Sequence, residues 1–263
     1  MTLTPSAVAR SAIVARLRAA GCVFAEDEAE LLISAAATPA ELTAMVDRRV
    51  AGLPLEHVVG WADFCGLRLA VEPGVFVPRR RTEFLVQQAI ALAPPHPVIV
   101  DLCCGYGAVG AVLAAALDPA ELHAADIDPV AVRCARRNLA PHGHVYTGDL
   151  FDPLPAALRG RVDILAANVP YVPTGEVALL PAEARLHEPQ VALDGGGDGL
   201  DVLRRVAAHA RLWLAEGGSL LVETTEPQEL QACNTARRGG LVPRVARSPE
   251  LAATVLIASR STG

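Results

Sequence analysis

The sequence predicts an α/β protein: a seven-stranded, mostly parallel sheet, closed by an antiparallel C-terminal hairpin and preceded by a small helical domain. Three observations predict it. Residues 1–52 carry helical patterns only, strand and helix alternate from residue 82 onward, and the last two strands are joined by a loop too short for a helical crossover. With 263 residues, 52% hydrophobic and 20% charged, the chain can bury a sizeable core and is not a disordered one. No apolar run reaches the roughly 18 residues of a membrane span.

At the N-terminus Leu31, Leu32, Met45 and Val46 fall on helical patterns. Thr38-Pro39-Ala40-Glu41 reads as a helix start, with Thr capping, Pro in the first helical position and Glu reaching back as the capping-box partner. Gly21 and Gly52 supply the stops. Leu67–Val71 and Val75–Val77 then read as a β-hairpin around Glu72-Pro73-Gly74. The expected division is a helical domain over 1–64, a linking hairpin over 65–81 and an α/β domain over 82–263. Within the last, Val98–Leu102, Leu122–Asp126, a strand ending before Asp149, Val162–Asn168 and Ser219–Glu223 read as strands. Ala108–Leu117, Val130–Leu139 and Leu200–Leu214 read as helices between them, and Leu241–Arg247 with Thr254–Ser259 form the closing antiparallel pair.

The chain has 23 basic residues, all Arg, against 29 acidic ones, for a net charge of -6. No segment is a basic arm, which disfavours nucleic acid as a partner, because non-specific phosphate affinity needs clustered cations. The six cysteines show no C-x-x-C and no His at metal-ligand spacing, so no metal site is expected. They read as small buried hydrophobes of a reducing compartment. Arg10, Arg16 and Arg18 interrupt the first apolar residues, so a cytoplasmic location is expected.

Asp101-Leu102-Cys103-Cys104-Gly105-Tyr106-Gly107-Ala108-Val109-Gly110 sets G-x-G-x-x-G directly after a strand and at a helix start. Alone, such a loop is also what a tight packing turn looks like. Asp126, ending the next strand, is placed to accept both ribose hydroxyls of a nucleoside. An acidic Asp101 before the loop is awkward for a pyrophosphate and suits a ligand with an ammonium group, so S-adenosylmethionine fits better than a nicotinamide dinucleotide. The expected cofactor contacts are Asp101, Cys103, Cys104, Gly105, Tyr106, Gly107 and Asp126. Asp149 would take the adenine amino group with Leu150 against the ring, although an Asp after Gly is equally a turn residue.

Asn168-Val169-Pro170-Tyr171 follows the fourth strand, at the sheet edge where open α/β folds bind ligands. It resembles the Asn-Pro-Pro-Tyr motif of amino-methyltransferases. More of the chain, from about Gly52 to Thr225, resembles the protein-(glutamine-N5) methyltransferases that modify peptide chain release factors, the HemK/PrmC family. The resemblance rests on Gly52-Leu53-Pro54-Leu55, Gly60 and Phe64, then Val77-Pro78-Arg79-Arg80-Arg81-Thr82-Glu83, Glu188-Pro189, Ala192-Leu193-Asp194-Gly195-Gly196 and Asp198-Gly199-Leu200. It implies the class I S-adenosylmethionine-dependent methyltransferase fold, a protein substrate read by the N-terminal helices, and a catalytic set of Asn168, Val169, Pro170 and Tyr171, with Asn168 also beside the cofactor.

The chemistry explains the motif. An amide nitrogen is a poor nucleophile until acceptors hold its N–H groups and turn the lone pair toward an electrophilic methyl. The resemblance implies that the Asn168 side-chain oxygen and the carbonyl of residue 169 are those acceptors and that Tyr171 fixes the amide plane. Cys103 in place of Gly, Val169 in place of Pro and His57 in place of an aromatic imply a divergent paralogue. Arg79 and Glu188 read either as site support or as ion pairs joining domains, and His187 as structural. Two other readings stay open: an adenine-N6 or guanine-N2 nucleic-acid methyltransferase, for which Arg79 to Arg81 are the local electrostatic support, and a cofactor-binding module without turnover.

Overall fold

The computed structural model describes residues 5–140 and 142–262; residues 1–4 of the expected helical domain, Pro141 and Gly263 lie outside the described residues. Four helices open it: α1 (Ala7–Ala19), α2 (Ala25–Ala35), α3 (Pro39–Val50) and α4 (Leu55–Val59). The start signal of α3 forms, with Thr38 Oγ1 accepting from the Glu41 N–H at 3.2 Å. Glu41 reaches back to the Ala37 N–H at 2.7 Å, one residue earlier than a standard capping box. Gly21 and Gly52 close α1 and α3 in the left-handed region, and the next N–H returns to the last turn, Cys22 to Leu17 and Leu53 to Arg48. These helices bury Leu17, Leu32, Met45, Val46 and Val58 in a cluster of their own. Arg49 joins this unit to the rest of the chain, pairing with Glu28 at 2.7 Å and with Glu183 at 3.3 Å.

The hairpin lies earlier than expected. β1 (Trp61–Phe64) and β2 (Leu67–Ala70) pair antiparallel with Phe64 opposite Leu67, so Cys65-Gly66 is the turn. Both turn residues have positive φ, +50° and +78°, as a two-residue type I′ turn requires. The usual Asn-Gly signal is absent there, while Glu72-Pro73-Gly74 carries turn residues but joins no strand pair. Val75 and Val77 do alternate inward, but as a buried extended strap: the Val77 N–H goes to the Glu188 carboxylate at 3.4 Å, not to a strand.

The main sheet has the order β5-β4-β3-β6-β7-β9-β8. Helix α5 (Thr82–Leu92) leads into β3 (Val98–Leu102), α6 (Ala108–Ala116), β4 (Glu121–Asp126), α7 (Pro129–Leu139), β5 (Gly143–Thr147) and β6 (Val162–Ala167). Short helices α8 (Ala182–His187) and α9 (Gln190–Leu193) precede α10 (Asp201–Trp213), β7 (Leu214–Thr224), α11 (Glu229–Arg238), β8 (Val242–Ser248) and β9 (Ala253–Ser259). β3 to β7 run parallel, and β9 is antiparallel to both β7 and β8, as expected. Alternate residues feed two cores. Ile99, Ala124, Ile164 and Leu221 lie with α5 to α7, while Val100, Leu102, Leu165 and Leu220 lie with α10 and α11. Burial on both faces is why the central strands read as unbroken apolar runs. β3 has β4 on one side and β6 on the other, so chain order reverses there and leaves a crevice at the strand ends.

Candidate functional site

The loop after β3 is bent by left-handed backbone at Cys103, Gly105 and Gly107, with φ of +55°, +55° and +81°. Cys103 carries a Cβ into that conformation at about 1 kcal/mol of strain, which is the physical reason glycine suits the place. The Asp126 carboxylate, at the end of β4, accepts from the Gly105 N–H at 2.8 Å and the Asp128 N–H at 2.9 Å, tying the loop to the next strand. Asp101 is buried and accepts from the Gly110 N–H at 2.9 Å. Burial pushes its carboxyl up to about 7, and burial raises Asp126 too. The Cys103 thiol is pushed up by burial and then by Asp126, Asp101 and Asp149, so three carboxylates converge on this loop.

Asp149 follows β5 and is not free: Arg205 of α10 holds it at 2.5 Å across 56 residues of chain. Sequence reasoning had no signal for that partner. Leu150, at φ +48°, packs on the second core beside Cys103 and Tyr146. Two expected contacts can be made only through the main chain. The side chains of Cys104 and Tyr106 are turned into the first core, so only their backbone can border a ligand. The Tyr106 hydroxyl is buried there without a partner.

Asn168-Val169-Pro170-Tyr171 leaves β6 beside this loop, since Leu102 and Ala167 are register partners. Among the described residues the Asn168 carboxamide and the Val169 carbonyl have no hydrogen-bond partner. The rest of the segment is held from outside. A Cβ at Gly195 would stand 2.7 Å from the Pro170 carbonyl oxygen, and one at Gly199 2.2 Å from that of Tyr171. The Gln228 side chain also donates to the Tyr171 carbonyl at 2.9 Å. These contacts brace the loop where Val169, itself buried, lacks the fixed φ of a proline.

The Tyr171 hydroxyl donates to Glu223 at 2.9 Å, and Arg81 contacts both, reaching Glu223 through Nε at 2.7 Å. Thr82 donates to the other Glu223 oxygen at 2.7 Å. Glu223, 2% exposed at the end of β7, is a candidate site residue that sequence reasoning missed. Its signal was present: like Asp101 and Asp126, it is an acid closing an apolar strand. Arg79 pairs with buried Glu188 at 2.7 Å, and Glu188 also accepts from the Val77 N–H of the strap, so the pair braces the strap. Two of the three consecutive arginines are therefore paired with buried carboxylates, which weakens the electrostatic support for a nucleic-acid substrate. His57 is buried with Nε2 donating to the Val75 carbonyl at 2.8 Å, and His187 lies against Gly52, away from the tetrapeptide.

Asn168 and Tyr171 open onto a cleft of about 480 Å³, walled by Phe76, Arg79, Leu180 and Leu193. One side of the tetrapeptide thus adjoins the glycine loop with its nearby carboxylates, and the other a pocket of mixed polarity.

The family described as the methyltransferase small domain matches residues 66–207. The release factor glutamine methyltransferase of Geobacter sulfurreducens is 38% identical over 191 residues, 70% of this chain and 66% of that protein. The protein of the same description from Mycolicibacterium smegmatis is 39% identical over 240 residues, 88% of this chain and 84% of its own length. Among solved structures, a 16S rRNA methyltransferase of T. thermophilus in complex with AdoMet and guanosine shares the fold, with TM-score 0.55 and 21% identity over 76% of this chain and 49% of that one. The fold, the paired loops at its switch point and these relatives agree: the chain belongs to the release factor glutamine methyltransferase family.

Proposed function

We propose that this protein methylates the side-chain nitrogen of a glutamine in a protein, with S-adenosylmethionine as methyl donor and a peptide chain release factor as the partner. One observation carries the reading: two unpartnered acceptors, the Asn168 carboxamide oxygen and the Val169 carbonyl, stand together at the mouth of a cleft beside the carboxylate crevice.

The residues of the crevice fit the cofactor. A buried Asp101 whose carboxyl is held up near 7 is stabilised by a ligand ammonium, and Asp126 keeps lone pairs for two hydroxyls after serving the loop. Asp149 would serve the adenine end by sharing or releasing Arg205. When bound, the cofactor supplies a methyl on a positively charged sulfur, already activated toward a nucleophile. Asn168 and Val169 then accept the two N–H bonds of the target amide and aim its lone pair, while Tyr171, fixed through Glu223 and Arg81, borders the amide plane. The proton leaves to solvent after transfer, so no strong general base is needed, and none of the seven histidines is given a role. The cytoplasm is the compartment this reading implies.

The test is incubation with methyl-labelled cofactor and release factor, followed by peptide mass spectrometry. Label on one glutamine nitrogen is expected. Label only on RNA or DNA supplied in parallel, or on no macromolecule, would overturn the reading.

A further inference from the structure

A second cleft, of about 420 Å³, opens on the far side of the wall formed by Arg81 and Tyr171, which line both cavities. Its other surfaces come from the end of β7 and the β8–β9 turn, including Thr224, Arg247, Ser248 and Thr254. Nothing in the methyl-transfer chemistry uses these residues. Thr224 is 6% exposed, yet its hydroxyl has no hydrogen-bond partner, one of two such buried side-chain atoms among the described residues. A buried hydroxyl left unpaired is destabilising, so a partner brought by a ligand would be favoured. Arg247 is bound to Glu229 at 2.5 Å but more than half exposed, so it retains donors facing outward. Ser248 accepts from the Leu251 N–H at 3.3 Å and keeps its own proton to donate.

A glutamine in a protein arrives on a chain that continues in two directions, at about 3.3 Å per residue when extended. With the side chain at Asn168, a few residues of that chain must cross the Tyr171–Arg81 wall or turn away from it. We propose that the second cleft is a subsite for one arm of the substrate polypeptide flanking the methylated glutamine, with Thr224, Arg247 and Ser248 hydrogen-bonding its backbone. The inference rests on the protein-glutamine reading and adds where the substrate chain runs.

The experiment uses the full chain with a photoreactive benzoylphenylalanine at position 248, irradiated with release factor and S-adenosylhomocysteine, the cross-link being mapped by mass spectrometry. A cross-link within about six residues of the methylated glutamine is expected; one on a distant surface, or none, overturns the subsite. Independently, Arg247→Ala should raise KM for release factor about tenfold with kcat changed less than twofold, and an unchanged KM counts against it. Cofactor affinity measured in parallel reports whether each variant is folded. If the unmodified protein methylates release factor and these results are negative, only the subsite fails. If it methylates no release factor, the parent reading fails first.

Discussion

Two loops leave neighbouring strands of one sheet, and they are shaped in opposite ways. The loop after β3 is determined by its own residues: three left-handed positions within five residues bend it, and one carboxylate from the next strand ties it down. The loop after β6 is determined by distant ones: Gly195 and Gly199 press on its carbonyls, Gln228 bonds one of them, and Glu223 with Arg81 fixes its tyrosine. The difference fits what each loop would have to offer in the proposed reaction. A cofactor cradle offers backbone N–H groups and carboxylates, which local geometry can place. An acceptor site must leave two oxygens unpaired and still rigid, so the bonds that stiffen it have to come from elsewhere.

Substitutions can sharpen this contrast, or break it. The largest effect is expected from Asn168→Ala, which removes one of the two acceptors. Transfer should fall on the order of 10²–10³-fold while S-adenosylhomocysteine affinity, read by calorimetry, stays within a few-fold. Equal losses in both would mean that the two loops are not separable. Next is Gly195→Ala, whose Cβ would meet the Pro170 and Gly199 carbonyls at 2.7 Å. Shifting the tetrapeptide by about 1 Å should lower kcat roughly 10²-fold. Retained turnover would show that the brace is dispensable.

The cradle should answer to pH instead. With its carboxyl raised to about 7, Asp101 must lose a proton to meet a ligand ammonium, so S-adenosylhomocysteine affinity should climb as pH approaches 7, by up to about tenfold per unit, and level off above it. Asp101→Asn should flatten that profile. For folding the sign is the reverse: the raised value favours the neutral carboxyl, so its contribution to stability is complete below about 3.8 and is lost as pH rises through about 7. The smallest effect belongs to Cys103→Gly. Relief of about 1 kcal/mol of left-handed strain is opposed by the larger freedom of glycine in the unfolded chain, so Tm should move by less than about 3 °C. A large loss would mean that the thiol packs more than its backbone strains.

Much of this was legible in the chain. The helix start at Thr38, the glycine stops, the strand and helix alternation and the antiparallel ending are local signals, and each appears where its residues place it. The loop and the tetrapeptide were legible for the same reason, since strand, glycines and acids lie close together in sequence. The β1–β2 hairpin was not, because Cys65-Gly66 adopts a type I′ turn without its usual residues. Tyr106 stands inside the loop motif, but its ring belongs to the core, a matter of side-chain direction that spacing does not reveal.

By itself, then, the sequence determined the order of elements, the two loops of the candidate site and the acids that end the strands, because hydrophobic period and turn chemistry act over a few residues. Only the tertiary structure decided which remote groups hold those loops. Glu223 meets Tyr171 across 52 residues, Arg205 meets Asp149 across 56, and Glu188 meets Arg79 across 109. Such pairings are set by how parallel strands are ordered in the sheet, and no local pattern in the chain encodes that order.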